Sequence, residues 1–159
     1  MVLGFKDVLM LEQIVSGGQT GVDRAALDVA MELDIPCGGW CPKGRKAEDG
    51  VIPSRYPLKE TKSHRYECRN EWNVRDSDAS LILICGELEG GTALTVAFAK
   101  DWGKPYFVVE LEAPNALERI REWLESHGVR TLNVAGPRES KVPGINQRAA
   151  AFLRQVFER

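Results

Sequence analysis

Apolar residues fall at positions 22, 25, 26, 29, 30 and 33, the spacing that gathers one face of a helix. Ahead of them runs a short apolar stretch, Met10, Leu11, Ile14 and Val15, which reads as a strand. Further on, Ser80 to Cys85 is apolar almost without interruption, the pattern of a strand buried on both faces in a parallel sheet. A second helical pattern follows at Ala93, Leu94, Ala97, Phe98 and Trp102. The whole chain then reads as strand 11–16, helix 22–33, strand 37–40, a long loop, helix 64–75, strand 80–85 and helix 92–102. Strand 105–109, helix 115–126, strand 131–135 and a last helix over 143–157 complete it. Asn115 is expected to cap its helix, and Gly128 to end the same helix.

Strands that alternate with helices predict a three-layer Rossmann-like α/β fold: a mostly parallel five-stranded sheet with helices on both faces. Its switch point is expected between the first and third strands. Residues 10–159 read as one ligand-binding domain and residues 1–9 as an extension, with Met10 an alternative start to Met1.

Two strand-to-helix turns share one grammar. Ser16-Gly17-Gly18-Gln19-Thr20-Gly21-Val22-Asp23 follows the first strand, and Gly90-Gly91-Thr92 follows the third. Glycines let the main chain approach a ligand closely, and a helix N-terminus offers free amides and positive potential, so both turns are candidate phosphate cradles. Neither matches the dinucleotide or Walker spacing, and a purely structural turn is the competing reading. Asp23 reads as a helix-capping carboxylate or, turned to the crevice, as a partner for a ribose hydroxyl or a metal. Thr95 reads as a further donor or as a solvent-facing side chain.

Net charge is −2 (21 basic against 23 acidic residues), so no global basic field invites nucleic acid. No stretch is apolar over a membrane-spanning length, and the first residues lack the build of a secretory leader, which points to the cytoplasm. Four cysteines are too few for a disulfide framework. Cys37, Cys41, His64 and Cys68 pair at spacings unlike a zinc knuckle, so no metal site is assigned, and Cys37 and Cys85 read as small buried hydrophobes.

The segment 41–62 is basic at Lys43 and Arg45, which are candidates to reach over and neutralise an anion, with a solvated loop as the alternative. Arg138 and Lys141 stand in another loop at a strand's carboxyl end. Arg69 and Asn73 lie four apart and share one helix face. Trp40 and Trp72 are candidates to stack on a ring. No catalytic nucleophile is evident, and Asp23 and Glu48 are the carboxylates within reach as general bases.

The runs SGGQTGVDRAALDVA, GGWCPKGRKAEDG, EWNVRDSDASLIL and GGTALT, with the later GKP and AGPRE, resemble the molybdenum cofactor carrier family. That family is Rossmann-like and related to the lysine-decarboxylase-like phosphoribohydrolases. The resemblance covers nearly everything from residue 11 onward. It implies a phosphorylated, nucleotide-like ligand, molybdopterin or a nucleotide, with magnesium left open, and a homo-oligomer, dimer or tetramer. Against the phosphoribohydrolase pattern, Arg69 falls at the arginine position, Asn70 replaces the lysine, Asp78-Ala79 match the strand start, and Gly91-Thr92 match the end of the turn. The family's glutamate becomes Thr95, which puts glycosidic cleavage in doubt and leaves phosphate binding in place. Binding by Gly17, Gly18, Gln19, Thr20, Gly21, Asp23, Lys43, Arg45, Arg69, Asn73, Gly90, Gly91 and Thr92 is therefore the first expectation. A nucleotide-processing hydrolase and a nucleotide-sensing module are the alternatives.

Overall fold

The computed structural model describes residues 10–158, so the extension read at 1–9 lies outside the described residues. In chain order the elements begin with β1 (Gln13–Val15), α1 (Val22–Glu32), β2 (Cys37–Gly38) and β3 (Trp40–Cys41). A hairpin of β4 (Lys46–Ala47) and β5 (Gly50–Val51) follows, then β6 (Lys59–Glu60) and α2 (Tyr66–Arg75). The second half is β7 (Ala79–Ile84), α3 (Gly90–Asp101), β8 (Tyr106–Glu110), α4 (Ala116–Ser126), β9 (Thr131–Ala135) and α5 (Ile145–Phe157).

Five strands form one parallel sheet in the order β2-β1-β9-β7-β8. The last strand is thus inserted between the first and the third major strands. Counted from β9, through α5 and back to β1, the sheet reads 3-2-1-4-5, the doubly wound order. The chain is a doubly wound domain whose first strand and helix stand at the C-terminal end. The crevice accordingly opens between β9 and β7. The expected adjacency of the first and third strands is corrected here: β9 separates them, because it alone supplies the central position of the order.

The crossovers β1-α1-β2 and β7-α3-β8 run in opposite directions along the sheet. Right-handed connections therefore place α1 and α3 on opposite faces. α1 packs on α5 and α5 on α4, while α2 pairs with α3. The main core joins Ile14, Leu81, Leu83, Leu132 and Val134 of the sheet to Val22, Ala26, Ile120, Ala149 and Leu153 of the helices.

Local departures from the sequence reading have local causes. The strand expected over 37–40 breaks at Gly39, whose φ is 131°, a region open to glycine. A Cβ there would lie 2.3 Å from the Ser16 carbonyl oxygen. The chain turns at that point, and Trp40 and Cys41 pair with β6 instead of the main sheet. The long loop of 41–62 is also ordered, because Leu27, Cys41, Ala47, Ile52 and Tyr56 bury one another in a second small core. Asn115 does stand at the α4 N-cap, but with φ 59° and no side-chain capping bond. Gly128 follows α4 with φ 56°, and Val129 donates back to the Leu124 carbonyl, a glycine-closed helix end.

Candidate functional site

At the carboxyl edge of the sheet a cavity of about 250 Å³ opens between β7 and β9. Ile84 and Cys85 form one side of its floor, Ala135 and Gly136 the other. α3 points its first residues, Gly90, Gly91 and Thr92, at the cavity, with Thr95 one turn further in. Gln19 and Asp23 come from the first turn and α1, Arg69 and Asn70 from α2, and Arg138 and Lys141 from the loop after β9. Of the first glycine turn only Gln19 reaches this chamber, whereas Gly90, Gly91 and Thr92 of the second all line it.

They contribute differently. In the first turn three amides are already used: Gln19 N donates to Asp23 Oδ2 (3.3 Å), Thr20 N to Gln19 Oε1 (3.0 Å), and Val22 N to the Pro137 carbonyl (3.2 Å). Its glycines answer to protein neighbours. At Gly17 a Cβ would strike the Arg69 guanidinium, and at Gly18 it would strike Leu58. At Gly21 it would lie 2.3 Å from the Pro137 carbonyl oxygen. α5 is likewise closed, since Glu139 accepts from the amides of Gly144 (2.6 Å) and Asn146 (2.9 Å). The α3 N-terminus is open: Ala93 N bonds back to Glu89, but among the described residues the amides of Gly90, Gly91 and Thr92 meet no acceptor. A Cβ at Gly90 would meet nothing within 4 Å. Of the three helix N-termini around the crevice, α3 is the one with three consecutive free amides at the positive end of its dipole.

The wall opposite carries two further donors. Gln19 and Arg69 are 5% and 6% exposed, yet Gln19 Nε2 and Arg69 Nε have no acceptor among the described residues. Buried polar groups are normally satisfied, so these two mark a place where an acceptor belongs. Their other atoms are fixed. Gln19 Oε1 accepts from Thr20 N and Glu48 N, and Arg69 Nη1 donates to the Gly17 carbonyl at 2.8 Å.

Asp23, 7% exposed, sits 3.4 Å from Arg69 Nη1. Burial pushes its carboxyl up to about 6, against the downward pull of Arg69 and the Gln19 amide. Burial also lowers the Arg69 pKa despite Asp23 beside it. Both shifts say that desolvation outweighs the mutual attraction. Asp23 is therefore a proton-accepting group of the cavity wall near neutral pH. Its carboxylate binds the turn ahead of α1 at Gln19 N and makes no side-chain cap on that helix.

Glu48 ties three loops together. Its carboxylate accepts from the Thr20 hydroxyl, from Ser140 N (3.1 Å) and from Ser140 Oγ (2.6 Å), with Arg138 Nε at 3.9 Å. Burial raises its pKa, but the bonds from Ser140 and Thr20 outweigh that and leave the carboxyl below its ordinary value.

Of the sequence-predicted residues, Gln19, Asp23, Arg69, Gly90, Gly91 and Thr92 meet at the cavity, and seven do not line it. Gly17, Gly18 and Gly21 lie buried behind the first turn, and Thr20 spends its hydroxyl on Glu48. Lys43 is exposed elsewhere. Arg45 donates to four carbonyls of its own loop, those of Ile52, Pro53, Tyr56 and Leu58. Asn73 brackets Trp40, accepting from its amide at 2.7 Å and donating to its carbonyl at 3.0 Å. Trp40 and Trp72 contact each other edge-on, and neither lines this cavity. Thr95, read as a donor or as facing solvent, is buried and donates to the Gly91 carbonyl at 3.0 Å. Asp78 lies at the opposite, amino edge, where it accepts from the amides of Arg130 and Thr131, and Asp76 accepts from Trp40 Nε1 at 2.7 Å.

Sequence reasoning did not assign Cys85, Glu87, Glu89, Gly136 or Val142 to the site. A signal was present for the first: Cys85 ends a buried strand, and ligands gather at such ends. Among the described residues no group of three or more His, Cys, Asp and Glu side chains is placed to hold a metal ion, and no helix is long and apolar enough to cross a membrane.

A permuted doubly wound sheet with a polar chamber at its switch point defines a Rossmann-like domain of rearranged strand order. Residues 14–157 match the model of the circularly permutated YpsA SLOG family, and the chain belongs to that family. Among solved structures the chain is similar to a protein of Syntrophus aciditrophicus SB named "Putative molybdenum carrier protein". The two are 44% identical with a TM-score of 0.94, over 98% of this chain and 100% of that one. No curated protein matches the chain.

Proposed function

We propose that the chain binds a phosphorylated, nucleotide-like small molecule in the cavity between β7 and β9, and that it serves as a carrier for molybdenum cofactor. One observation carries the reading. Three free amides at the start of α3 share a chamber with two buried, unpartnered donors, Gln19 Nε2 and Arg69 Nε. Amides at a helix N-terminus suit a phosphate, and the side-chain donors suit acceptors elsewhere on the same ligand. Arg138 and Lys141 line the cavity as further cations, the first 3.9 Å from Glu48 and the second 4.0 Å from Glu89, with Glu87 also in the lining. The cavity volume of about 250 Å³ suits a ligand the size of a mononucleotide, with anything larger extending through the mouth. The neighbour's name, a molybdenum carrier, favours a pterin-bound molybdenum ligand over other phosphorylated molecules. Self-association belongs to the same proposal and is read by light scattering.

A second reading, nucleotide hydrolysis, draws on Asp23, a buried carboxyl poised near neutrality in the cavity wall. Thr95 weighs against it, because it stands where the resemblance to phosphoribohydrolases calls for a glutamate and is already bonded to Gly91.

Thermal shift with molybdenum cofactor, mononucleotides and inorganic phosphate tests the proposal. A binder at 100 times its Kd stabilises the fold by about 2.7 kcal/mol. Recovery of the best binder unchanged supports a carrier, product formation supports the hydrolase, and no stabilisation by any phosphorylated compound refutes both.

A further inference from the structure

Cys85 follows β7 at the crevice and is the one cysteine of the four that lines the cavity. Its surroundings are unusual for a packing residue. Arg148 of α5 directs Nη2 and Nη1 at Cys85 Sγ, at 3.6 and 3.7 Å, while Glu112 Oε1 holds its Nε at 2.9 Å and its Nη2 at 2.7 Å. Glu112 thus orients the guanidinium, and the guanidinium presents two N–H groups to one sulfur. A cation against a partly exposed thiol is the environment that distinguishes reactive cysteines from inert buried ones. The other three lack it in this form. Cys41 is fully buried, burial pushes the Cys37 and Cys41 thiols up, and Cys68 lies on α2 away from the cavity. Independently, the unpartnered donors of Gln19 and Arg69 mark the same chamber as one that small polar molecules enter.

We propose that Cys85 is a covalent modification site: small electrophiles, with hydroperoxides as the natural class, react at Sγ inside the cavity, and the adduct excludes the phosphorylated ligand. In the reaction the thiol releases its proton and Sγ attacks one peroxide oxygen. The S–O bond forms as the O–O bond breaks, and the departing oxygen takes up a proton. Sulfur is oxidised by two electrons to a sulfenic acid, and the hydroperoxide is reduced to an alcohol or water. Arg148 hydrogen-bonds the sulfur throughout and is a positioning residue. The blocking half of the inference rests on the ligand seat proposed above. The added oxygen shares a chamber of about 250 Å³ with Gly90, Gly91 and Thr92.

The test is alkylation of the full chain by iodoacetamide, read at each cysteine by mass spectrometry, with hydrogen peroxide and a sulfenic-acid trap in parallel. Cys85 is expected to react at least about tenfold faster than Cys37, Cys41 and Cys68. Arg148→Gln is expected to slow Cys85 alone, with partial recovery in Arg148→Lys. Inorganic phosphate is expected to protect Cys85 and leave Cys68 unaffected. A Cys85 rate no higher than that of Cys68 overturns the modification site, and this needs only the unaltered protein. A fast, Arg148-dependent Cys85 that phosphate never protects upholds the reactive thiol, overturns the blocking half, and counts against the ligand seat. Peroxide treatment that abolishes binding in the parent chain, but changes nothing in Cys85→Ser relative to its own untreated sample, confirms the coupling.

Discussion

Asp23 and Arg69 meet at 3.4 Å in the cavity wall, and burial raises the pKa of the acid and lowers that of the base. A pair arranged this way adds little stability as a pair, yet the loss of either member strands the other in a poorly solvated place. Arg69→Met should destabilise the fold by about 3–5 kcal/mol. The double variant with Asp23→Asn should recover much of that loss. Urea midpoints of the single and double variants check this, and a double variant no more stable than Arg69→Met contradicts it.

The raised pKa of Asp23 fixes the sign of a pH effect. The folded chain holds this proton more tightly than the unfolded chain, so the stabilisation is complete below about pH 4. It is lost as pH rises through about 6. The interval from 3.8 to about 6 corresponds to about 3 kcal/mol. Unfolding free energies of the parent and Asp23→Asn, measured from pH 4 to 7, should therefore diverge in favour of the variant as pH rises. Parallel curves would show that Asp23 keeps an ordinary pKa.

The glycines divide into two kinds. A Cβ on Gly21 would stand 2.3 Å from a main-chain carbonyl oxygen, at a φ of 81°, so Gly21→Ala has no room and no backbone freedom. Gly91→Ala would meet only Asn70 Nδ2, at 3.4 Å. Gly21→Ala should cost about 1–3 kcal/mol or more. Gly91→Ala should leave the melting temperature nearly unchanged while weakening binding of a phosphorylated ligand. Equal melting temperatures for the two variants would contradict the division.

Much of this was legible in the sequence. The helical spacing from Val22 to Leu33 and the apolar run from Ser80 to Cys85 specify α1 and β7, while of the two glycine turns the second lines the chamber and the first reaches it only through Gln19. Strand order was not legible, because which strand fills the centre depends on long-range pairing of Thr131–Ala135 with both β1 and β7. The roles of Lys43 and Arg45 were hidden for a related reason. A basic loop looks the same whether its cations face a ligand or, as with Arg45, bind carbonyls of the same loop. The glycines of residues 17–21 looked like room for a ligand, and what they make room for is Arg69, Leu58 and Pro137.

Those placements separate affinity from stability. Arg45→Gln removes donors from the Ile52, Pro53, Tyr56 and Leu58 carbonyls of its loop and should cost about 1–3 kcal/mol, with the Kd for a bound mononucleotide unchanged. Lys141→Gln, at the exposed mouth of the cavity, should do the reverse: the same stability, a higher Kd. Calorimetric titration alongside thermal melts checks both, and a weakened Kd in Arg45→Gln would bring the 41–62 segment back into the site.

The most direct test of the central claim is an NMR titration of isotope-labelled protein with inorganic phosphate and then a mononucleotide. Saturable shifts at the Gly90, Gly91 and Thr92 amides, joined by the Gln19 side-chain amide with the nucleotide, are the predicted result. Shifts that leave those groups untouched, or that gather around Lys43 and Arg45, would contradict it.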